Sequence, residues 1–485
     1  MTKEIPGHAV RQNRSQESGE AGAGQVGRVE QAAGPEFDQG SEQLEQVGSP
    51  ESAQAAERLE HAAGSEIKQM AGQVQQAIEP GLPGFDQATE QPEQASCPEF
   101  KPAAEQVKQA VKPGLPAPES AGETPVPPLR RGYTTGACAA AAAAGAATLL
   151  ITGESLPAVE INLPAGFGHT FELTGWQRTG THTASCATVK DAGDDPDATH
   201  LAWIEAAVSW RDQPGVEIDG GRGVGRVTKP GLPVGVGEAA INPAPRRMIQ
   251  EAVSAVLEEH GAVRGLRVVI SVPEGESIAM KTLNPRLGIL GGISILGTRG
   301  VVTPFSTEAY KASVVQAISV AAAAGNRQVV LTTGGSSEKY AIAMFAELPE
   351  EAFIQMGEYV GFSLEHAKAY GIRKVTFVGM AGKFSKVAQG AMLIHSKNAP
   401  VDFGFLATVA AGAGASPEQV QEIAAANTAS QVVDMMTEAG NYTFFEQLCR
   451  HACEQSLAHM NGGMIVEMVL ITMKGRVLGR AEIHG

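Results

Sequence analysis

The protein has 485 residues and an acidic composition, with 37 Lys and Arg against 53 Asp and Glu and a formal net charge of −16. That charge argues against binding to nucleic acid or to an anionic membrane surface, because like charges repel. Five cysteines in this length do not form a disulfide framework, which indicates a reducing, cytoplasmic compartment. No signal peptide is recognisable, and the apolar runs are shorter than the roughly 20 residues that span a bilayer.

Residues 1–128 have a composition of their own, with 9 Lys and Arg against 20 Asp and Glu and three Phe as the only aromatic residues. Gln, Glu, Ala, Gly and Pro dominate, so little apolar surface offsets the entropy lost on ordering the chain. We therefore predict a disordered acidic extension. A tail that docks a partner is the alternative, but a solvated tail without a specific role fits the charge run better.

Residues 129–300 combine apolar runs with glycine-rich turns. Roughly alternating apolar and polar residues predict short strands at 159–163, 169–173 and 184–189, and 266–272 is a further strand. Residues 245–259 predict a helix, with a proline early and an apolar stripe on one face. This part of the chain is expected to be an α+β domain.

Residues 301–485 alternate between helices and strands, which is typical of an α/β layer with a parallel sheet. The predicted elements are a helix at 307–324, a strand at 329–333, helices within 338–369, a strand at 374–379, further helices, and a closing hairpin at 464–481. We therefore predict a two-domain core joined near residue 300, with a Rossmann-like α/β C-terminal domain.

A glycine-flanked segment, Arg131-Gly-Tyr-Thr-Thr-Gly136, precedes a run of alanines. A Thr before such a run is a typical N-cap, and an exposed helix start offers backbone N–H groups to an anion. The alternative is a capped helix whose alanines permit tight packing, and the pattern taken alone favours that alternative.

Three carboxylates fall within four residues in Gly193-Asp-Asp-Pro-Asp197. They could bind a metal, but an Asp before Pro is ordinary turn chemistry, and metal loops usually space their ligands differently. A turn with a substrate contact is the favoured interpretation. The Gly- and Pro-rich stretch 220–247 lacks a complete dinucleotide fingerprint and suggests a loop that grips an anionic ligand. In stretch 273–298 apolar residues and glycines alternate, which predicts either a strand pair that a flat ligand approaches closely or a sheet that is merely thinned by glycine.

Two further glycine-containing segments, 332–337 and 378–386, each follow a predicted strand and precede a helix. Ligands bind at such carboxyl ends in open α/β sheets. The spacing around Lys383 does not match a nucleotide-binding P-loop. His395 could be an acid/base group or a polar contact of a helix, and the sequence does not decide between the two.

A charge count connects these segments. Stretches 129–136, 220–249, 273–304 and 379–398 contain 13 Lys and Arg but only three Asp and Glu. If the loops converge, they form a basic pocket on an acidic body, which suits a ligand with several negative groups.

The chain resembles the cobalt-precorrin-5B C1-methyltransferase family of the anaerobic cobalamin pathway over residues 129–485. The resemblance rests on the order and joint occurrence of the following motifs: Arg131-Gly-Tyr-Thr-Thr-Gly136, Gly193-Asp-Asp-Pro-Asp197, Val227-Thr-Lys-Pro-Gly-Leu232, Ile241-Asn-Pro243, Asn284-Pro-Arg-Leu-Gly-Ile289, Gly291-Gly-Ile-Ser-Ile-Leu-Gly-Thr298, Gly357-Glu-Tyr-Val-Gly-Phe362 and Gly382-Lys383. Two positions depart from the family pattern, which has a histidine at Met380 and a threonine at Ile394.

The resemblance implies an S-adenosylmethionine-dependent C-methyltransferase that converts cobalt-precorrin-5B to cobalt-precorrin-6A. Cobalt would arrive with the tetrapyrrole, so no protein metal site is required. Under this hypothesis the C-terminal domain binds the donor at Thr333, Gly334, Gly335, Gly379, Gly382 and Lys383. The acceptor, with its acetate and propionate groups, would contact Arg131, Tyr133, Thr134, Thr135, Asp195, Lys229, Arg246, Lys281 and Arg286. No catalytic residue is assigned, and His395 is the only candidate.

Other classes of function remain open on the residues alone. Another enzyme that acts on a polyanionic small molecule would use similar basic, glycine-rich loops, and a non-catalytic corrinoid carrier would bind the acceptor without the donor. Contacts with other enzymes of the cobalamin pathway and a homodimer are both compatible with the sequence.

Overall fold

A computed structural model describes residues Pro128–Gly485, which fall within one compact unit. The disordered extension predicted for residues 1–128 lies outside the described residues, apart from Pro128. The mixed α/β content expected from the sequence is confirmed. The division into two domains near residue 300 stays a prediction.

The elements before residue 305 are mostly short strands. They are β1 (Gly132–Tyr133), β2 (Ala158–Leu163), β3 (Phe167–Glu172), β4 (Thr174–Thr179), β5 (Thr183–Val189), β6 (Trp203–Arg211), β7 (Val216–Gly220), β8 (Gly223–Val224), β9 (Arg226–Val227), β10 (Gly265–Ser271), β11 (Ile289–Leu290), β12 (Gly292–Ile293) and β13 (Val301–Val302), with helices α1 (Thr135–Thr152), α2 (Pro243–Glu259) and α3 (Gly275–Ala279).

A five-stranded sheet with the order β4-β5-β6-β10-β7 forms the framework of this half. Its neighbours pair antiparallel except β7 and β10, which run parallel. Helix α1 packs against α2, β5 and β6. Its small residues allow this close approach: a Cβ at Gly136 would lie 2.7 Å from Pro245 Cγ of α2, and one at Gly145 would lie 3.1 Å from Cys186 Sγ of β5. The predicted strands near 159, 169, 184 and 266 and the predicted helix near 245 are all present.

Helix α1 is the one described helix that is long and apolar enough to cross a membrane, and 89% of that window is buried inside the protein. Core helices of this kind meet the same length and hydropathy criteria as membrane spans. This helix is therefore weak evidence for a membrane span.

The elements after residue 305 alternate as predicted. They are α4 (Thr307–Ala323), β14 (Gln328–Thr332), α5 (Gly335–Met344), β15 (Phe353–Gln355), α6 (Val360–Ala369), β16 (Lys374–Gly379), α7 (Ala381–Ala388), α8 (Phe403–Gly412), α9 (Pro417–Ala424), α10 (Ala429–Glu438), α11 (Tyr442–Met460), β17 (Ile465–Ile471) and β18 (Val477–His484). Strand β15 was not predicted, because three residues are too few to show a period.

A second five-stranded sheet has the order β15-β14-β16-β17-β18. Strands β14 to β17 pair in parallel, as the helix–strand alternation predicted, and β18 closes the sheet as an antiparallel hairpin strand. Successive residues of β14 and β16 point to opposite faces of the sheet and pack in two different hydrophobic clusters. Leu331 and Phe377 belong to a large cluster with α4, α6, α7 and α11, whereas Val330 and Val378 pack with Ala341 of α5. Both faces of the sheet are thus covered, and its carboxyl edge is left for the loops.

Candidate functional site

The carboxyl ends of β14 and β16 lie side by side, because Thr332 pairs with Val378 in the parallel register. The chain leaves β14 through Thr333 and Gly334 into α5. A Cβ added at Gly334 would meet no atom within 4 Å, and one at Gly335 would meet only the Gln355 side chain at 3.9 Å. The first predicted donor loop is therefore open on its outer side, as a ligand-binding loop must be.

The second predicted donor loop, at the end of β16, is packed more tightly. A Cβ at Gly379 would lie 2.4 Å from the ring of Phe384, and one at Gly382 would lie 3.5 Å from Ala429 Cβ. Lys383 is exposed. Gly379 therefore serves close helix–strand packing, and the side chain of this loop that is free to meet an anion is Lys383.

The hydroxyl of Thr332 is fully buried and has no hydrogen-bond partner among the described residues. An unsatisfied buried hydroxyl costs about 1–3 kcal/mol. This group ends β14 directly before the open loop, so a ligand or a water molecule that supplied a partner there would recover part of that cost.

His395 lies near the same edge of the sheet. Its segment pairs with the chain after β15, through a Tyr359–Leu393 bridge and a hydrogen bond from Ile394 N–H to the Glu358 carbonyl at 3.1 Å. The Nδ1 of His395 accepts from Lys397 N–H at 3.2 Å, and its Nε2 lies 3.9 Å from the Glu358 carboxylate. This arrangement places the proton of a neutral ring on Nε2, and the half-exposed ring remains accessible.

Arg286 links the loop after α3 to the open donor loop. Its guanidinium forms two hydrogen bonds to the carboxylate of Glu338, at 2.6 and 3.2 Å, and Gln355 Nε2 donates to the same carboxylate at 2.7 Å. Glu338 lies in the first turn of α5. Such a planar two-point contact is the geometry that Arg offers and Lys does not. A macrocycle carboxylate at Arg286 would have to compete with Glu338.

The other predicted cations of the glycine-rich loops are engaged to different degrees. Lys229 pairs with Glu351 at 2.9 Å. Arg246 donates to the backbone carbonyls of Ile241 at 2.9 Å and of Ile218, so it holds its own loop in shape. Lys281 is exposed and forms no ion pair with any residue in the described part of the chain. The predicted surplus of positive charge is therefore partly neutralised inside the protein.

The start of α1 is buried rather than exposed. Thr134 caps the helix by accepting from Ala137 N–H, and Gly136 N–H donates to the Leu296 carbonyl at 3.1 Å. Leu296 N–H in turn donates to Thr135 Oγ1 at 2.9 Å. The capped, packed helix is thus the alternative that the structure shows. The Thr135 hydroxyl also donates to the Leu296 carbonyl at 3.3 Å. Because both threonines are buried as well, we expect neither to contact an anion.

Arg131, Tyr133 and Asp195 lie around the adjoining surface. Arg131 is exposed, and the Tyr133 hydroxyl lies 2.9 Å from His169 Nδ1. Burial raises the pKa of Tyr133 and lowers the pKa of His169, so both groups are neutral at pH 7. Asp195 accepts from the N–H of Phe305 at 3.0 Å, which fixes the chain where it enters α4.

The acidic turn is held by internal ion pairs. Asp197 pairs at 2.7 Å with Lys190, whose side chain is 1% exposed, and Asp191 pairs with Arg130. Burial alone would raise the pKa of Asp197, but Lys190 and the hydrogen bonds from Thr199 bring it below its usual value. The turn interpretation is therefore the one that these contacts support. In residues 128–485 no group of three His, Cys, Asp or Glu residues could hold a metal ion.

Three glycines of the two glycine-rich stretches lie where one backbone segment packs directly against another. Gly223 has a φ of +73°, and a Cβ there would lie 1.8 Å from the Val272 carbonyl oxygen. A Cβ at Gly275 or at Gly292 would lie 2.0 or 2.1 Å from the carbonyl oxygen of Gly223. Close chain packing, rather than the approach of a flat ligand, explains the glycines at these positions.

The described cysteine thiols are all buried and unpaired. Burial raises the pKa of Cys138, Cys186 and Cys453 to about 12 each, and raises that of Cys449 as well. Thiols with such values carry almost no thiolate at pH 7, so a cysteine nucleophile does not fit these positions.

Sequence reasoning missed Glu338, Gln355 and Glu358. A Glu in the first turn of a helix is common, so Glu338 carried no special signal. The other two follow or end a three-residue strand that was itself not predicted.

Two family models match this chain. The model described as CbiD matches residues 123–304, and the model described as CbiD, C-terminal domain, matches residues 394–482. A solved structure is also similar, the 1.9 Å crystal structure of the cobalamin biosynthesis protein (cbiD) from Archaeoglobus fulgidus. It is 30% identical, with a TM-score of 0.30, and the match covers 52% of this chain and 78% of that chain.

Three curated relatives share most of their length with this chain, and each is named cobalt-precorrin-5B C(1)-methyltransferase. The Geobacillus kaustophilus protein is 62% identical over 358 residues, 74% of this chain and 96% of the relative. The Priestia megaterium protein is 59% identical, with 74% and 97% covered, and the Thermus thermophilus protein is 47% identical, with 72% and 93% covered. The resemblance inferred from the ordered motifs is therefore confirmed, and the chain belongs to the CbiD family.

Proposed function

We propose that this protein is a methyltransferase that methylates C-1 of cobalt-precorrin-5B, with S-adenosylmethionine as the methyl donor, and yields cobalt-precorrin-6A in the anaerobic route to cobalamin. The observation that carries the proposal is the 62% identity over 96% of the length of a relative with that name. At this identity and coverage the whole catalytic unit is shared. We place this reaction in the cytoplasm, in keeping with the cysteine usage.

We assign the donor to the carboxyl edge of the sheet formed by β14 to β18, which we interpret as a Rossmann-like layer. The open space at Gly334 and Gly335, the unpartnered Thr332 hydroxyl and the exposed Lys383 support that assignment. A bound donor supplies a sulfonium methyl group to an attacking ring carbon. Such a displacement needs alignment more than a protein nucleophile, and the buried thiols agree with that.

The acceptor would carry its cobalt with it and present its carboxylates to the basic loops. Arg131 and Lys281 are exposed cations and would contact it directly. Arg246 and Arg286 would act on it by holding their loops, since both guanidinium groups already bind protein acceptors. His395, with its proton on Nε2 and its Nδ1 occupied by Lys397 N–H, is the group placed to donate a proton near the donor edge.

The test is an anaerobic incubation of the full chain with S-adenosylmethionine and cobalt-precorrin-5B, followed by mass spectrometry. We expect a corrinoid heavier by one methyl group, and none when the donor is omitted. A folded protein that yields no methylated product would contradict the proposal. If corrinoid absorbance then co-elutes with the protein, the protein is a corrinoid carrier. If the absorbance does not co-elute, the protein is an enzyme that acts on another polyanionic substrate.

A further inference from the structure

A cleft of about 360 Å³ opens beside the first turns of α2. One wall is a single face of that helix and the other is the turn after β2 together with the loop after β12. The lining residues are Asn162, Leu163, Pro164, Ala244, Arg247, Met248, Glu251 and Thr298. This volume falls in the range of small-molecule sites, about 300–1,000 Å³. None of these residues was individually assigned to the donor or the acceptor from the sequence, although Arg247 lies in one of the basic, glycine-rich stretches.

The two neighbouring arginines at this cleft differ in what they bind. Arg246 is committed to the backbone, with hydrogen bonds to the carbonyls of Ile241, Ile218 and Ala239. The Arg247 side chain is exposed, lines the cleft, and forms no hydrogen bond or ion pair with any other residue between 128 and 485. The guanidinium that is free to hold a ligand is therefore that of Arg247, one position beyond the residue that the sequence suggested.

The start of α2 adds a second donor on the same wall. Pro243 and Pro245 have no N–H, and Arg246 N–H is bonded to the Asn242 carbonyl. The Asn242 side chain makes no capping hydrogen bond, so the N–H of Ala244 has no partner among the described residues. A free N–H at the positive end of a helix favours an anion.

The remaining lining groups define the shape of the ligand. Met248 and Leu163 supply apolar surface between the two walls, and Glu251 carries a negative charge one turn beyond Arg247. A carboxylate is thus attracted to the Ala244 end and repelled at the Glu251 end. The cleft fits an apolar ring edge that bears a carboxylate on one side.

We propose that this cleft binds a carboxylate-bearing edge of the acceptor macrocycle and that Arg247 holds the carboxylate. This inference rests on the proposed function for the identity of the ligand. Arg247 is a binding residue of the acceptor here, and the donor lies elsewhere, at the carboxyl edge of the second sheet.

The experiment compares Arg247→Ala and Arg247→Lys with the wild type, and uses Arg264→Ala as a matched control. Arg264 is also an exposed arginine, pairs with an exposed aspartate and lies outside both proposed sites. Binding of cobalt-precorrin-5B to each full-length protein is measured anaerobically by absorbance titration. The KM values of acceptor and donor are measured in parallel, together with a thermal melt.

We expect Arg247→Ala to raise the acceptor Kd and KM roughly 10- to 100-fold, the range for a lost charge-assisted contact. Donor KM and Tm of Arg247→Ala should not change. The acceptor Kd of Arg247→Lys should lie between those of Arg247→Ala and the wild type, because lysine keeps the charge but cannot form the two-point contact of a guanidinium. Arg264→Ala should have the acceptor Kd of the wild type. An unchanged acceptor Kd in Arg247→Ala would overturn the inference. A lower Tm together with an equal rise in the KM values of acceptor and donor would also overturn it, because both would then reflect a damaged fold. A wild type that binds the acceptor without methylating it would refute the proposed function, while the Kd comparison would still decide for or against the cleft.

Discussion

Replacing Arg286 with alanine should destabilise the protein, because the buried carboxylate of Glu338 loses its charged partner. That carboxylate is 7% exposed and receives two hydrogen bonds from Arg286, at 2.6 and 3.2 Å. After the substitution only Gln355 Nε2, at 2.7 Å, would still donate to it. Removing one partner of a buried ion pair costs about 3–5 kcal/mol.

The opposite substitution, Glu338→Gln, should cost less. The Arg286 side chain is 19% exposed and keeps the Glu350 carboxylate at 3.7 Å, so it remains partly solvated and partly paired. We expect Glu338→Gln to lose about 1–2 kcal/mol of unfolding free energy. The double variant, Arg286→Ala with Glu338→Gln, should lose less than the sum of the two single losses, by about 1.5–3 kcal/mol. Each kcal/mol lowers Tm by roughly 1–2 °C in a folded unit of this size, because the unfolding entropy grows with chain length.

The assay is a thermal melt of the four proteins at pH 7, with donor KM measured on the same samples. Because Glu338 lies in the first turn of α5, beside Gly335, donor KM should rise with the loss of the pair. The matched control is Arg264→Ala, whose partner Asp212 is 98% exposed and whose ion pair should contribute less than about 1 kcal/mol. An Arg286→Ala protein that melts with the wild type, or strictly additive losses, would refute this reasoning.

Three further predictions follow from single contacts. Asp197→Asn should lower Tm at pH 7, because Lys190 loses its charged partner. Since the pKa of Asp197 is lowered in the folded state, the difference from wild type should shrink once the pH falls below about 4, the pKa of an unfolded aspartate, and vanish only below the lower folded-state pKa. Gly335→Leu should raise donor KM several-fold without lowering Tm, because the added side chain would fill the open space of the donor loop. The control Ala424→Leu, at another exposed helix end, should leave donor KM unchanged. If Gly335→Leu and wild type had the same donor KM, Gly335 would not belong to the donor site. Gly223→Ala should destabilise the fold by more than about 3 kcal/mol, since its Cβ would clash with a carbonyl at a positive φ, and a normal melt would show that the loops can separate.

Sequence patterns predicted the long helices and most of the second sheet, because long or buried elements show them clearly. Helix α2 carries an apolar stripe, and β16 is buried from Val375 to Gly379 and lies between turn residues. Strands β4, β6 and β7 of the first sheet were not predicted, although Ile204, Ala206 and Val208 alternate on the buried face of β6. Its tryptophans and partly exposed polar residues blur that alternation at both ends, and the central strand of the first sheet was therefore missed.

The candidate site was less predictable than the fold, since it depends on which partner each side chain finds. The charge count predicted a basic pocket, but it could not show that Lys229 and Arg286 pair with Glu351 and Glu338, more than 50 residues further along the chain. Local sequence likewise could not distinguish Arg246 from its neighbour. Helix geometry points one guanidinium at the backbone and the next at the cleft.

The position of the transferred methyl group is the sharpest test of the proposed reaction. The full-length protein is incubated anaerobically with cobalt-precorrin-5B and S-adenosylmethionine labelled with ¹³C in its methyl group, and the corrinoid product is examined by NMR. We expect one labelled methyl group, attached to C-1 of the ring. A label on another carbon, or an unlabelled corrinoid recovered from folded protein, would contradict it.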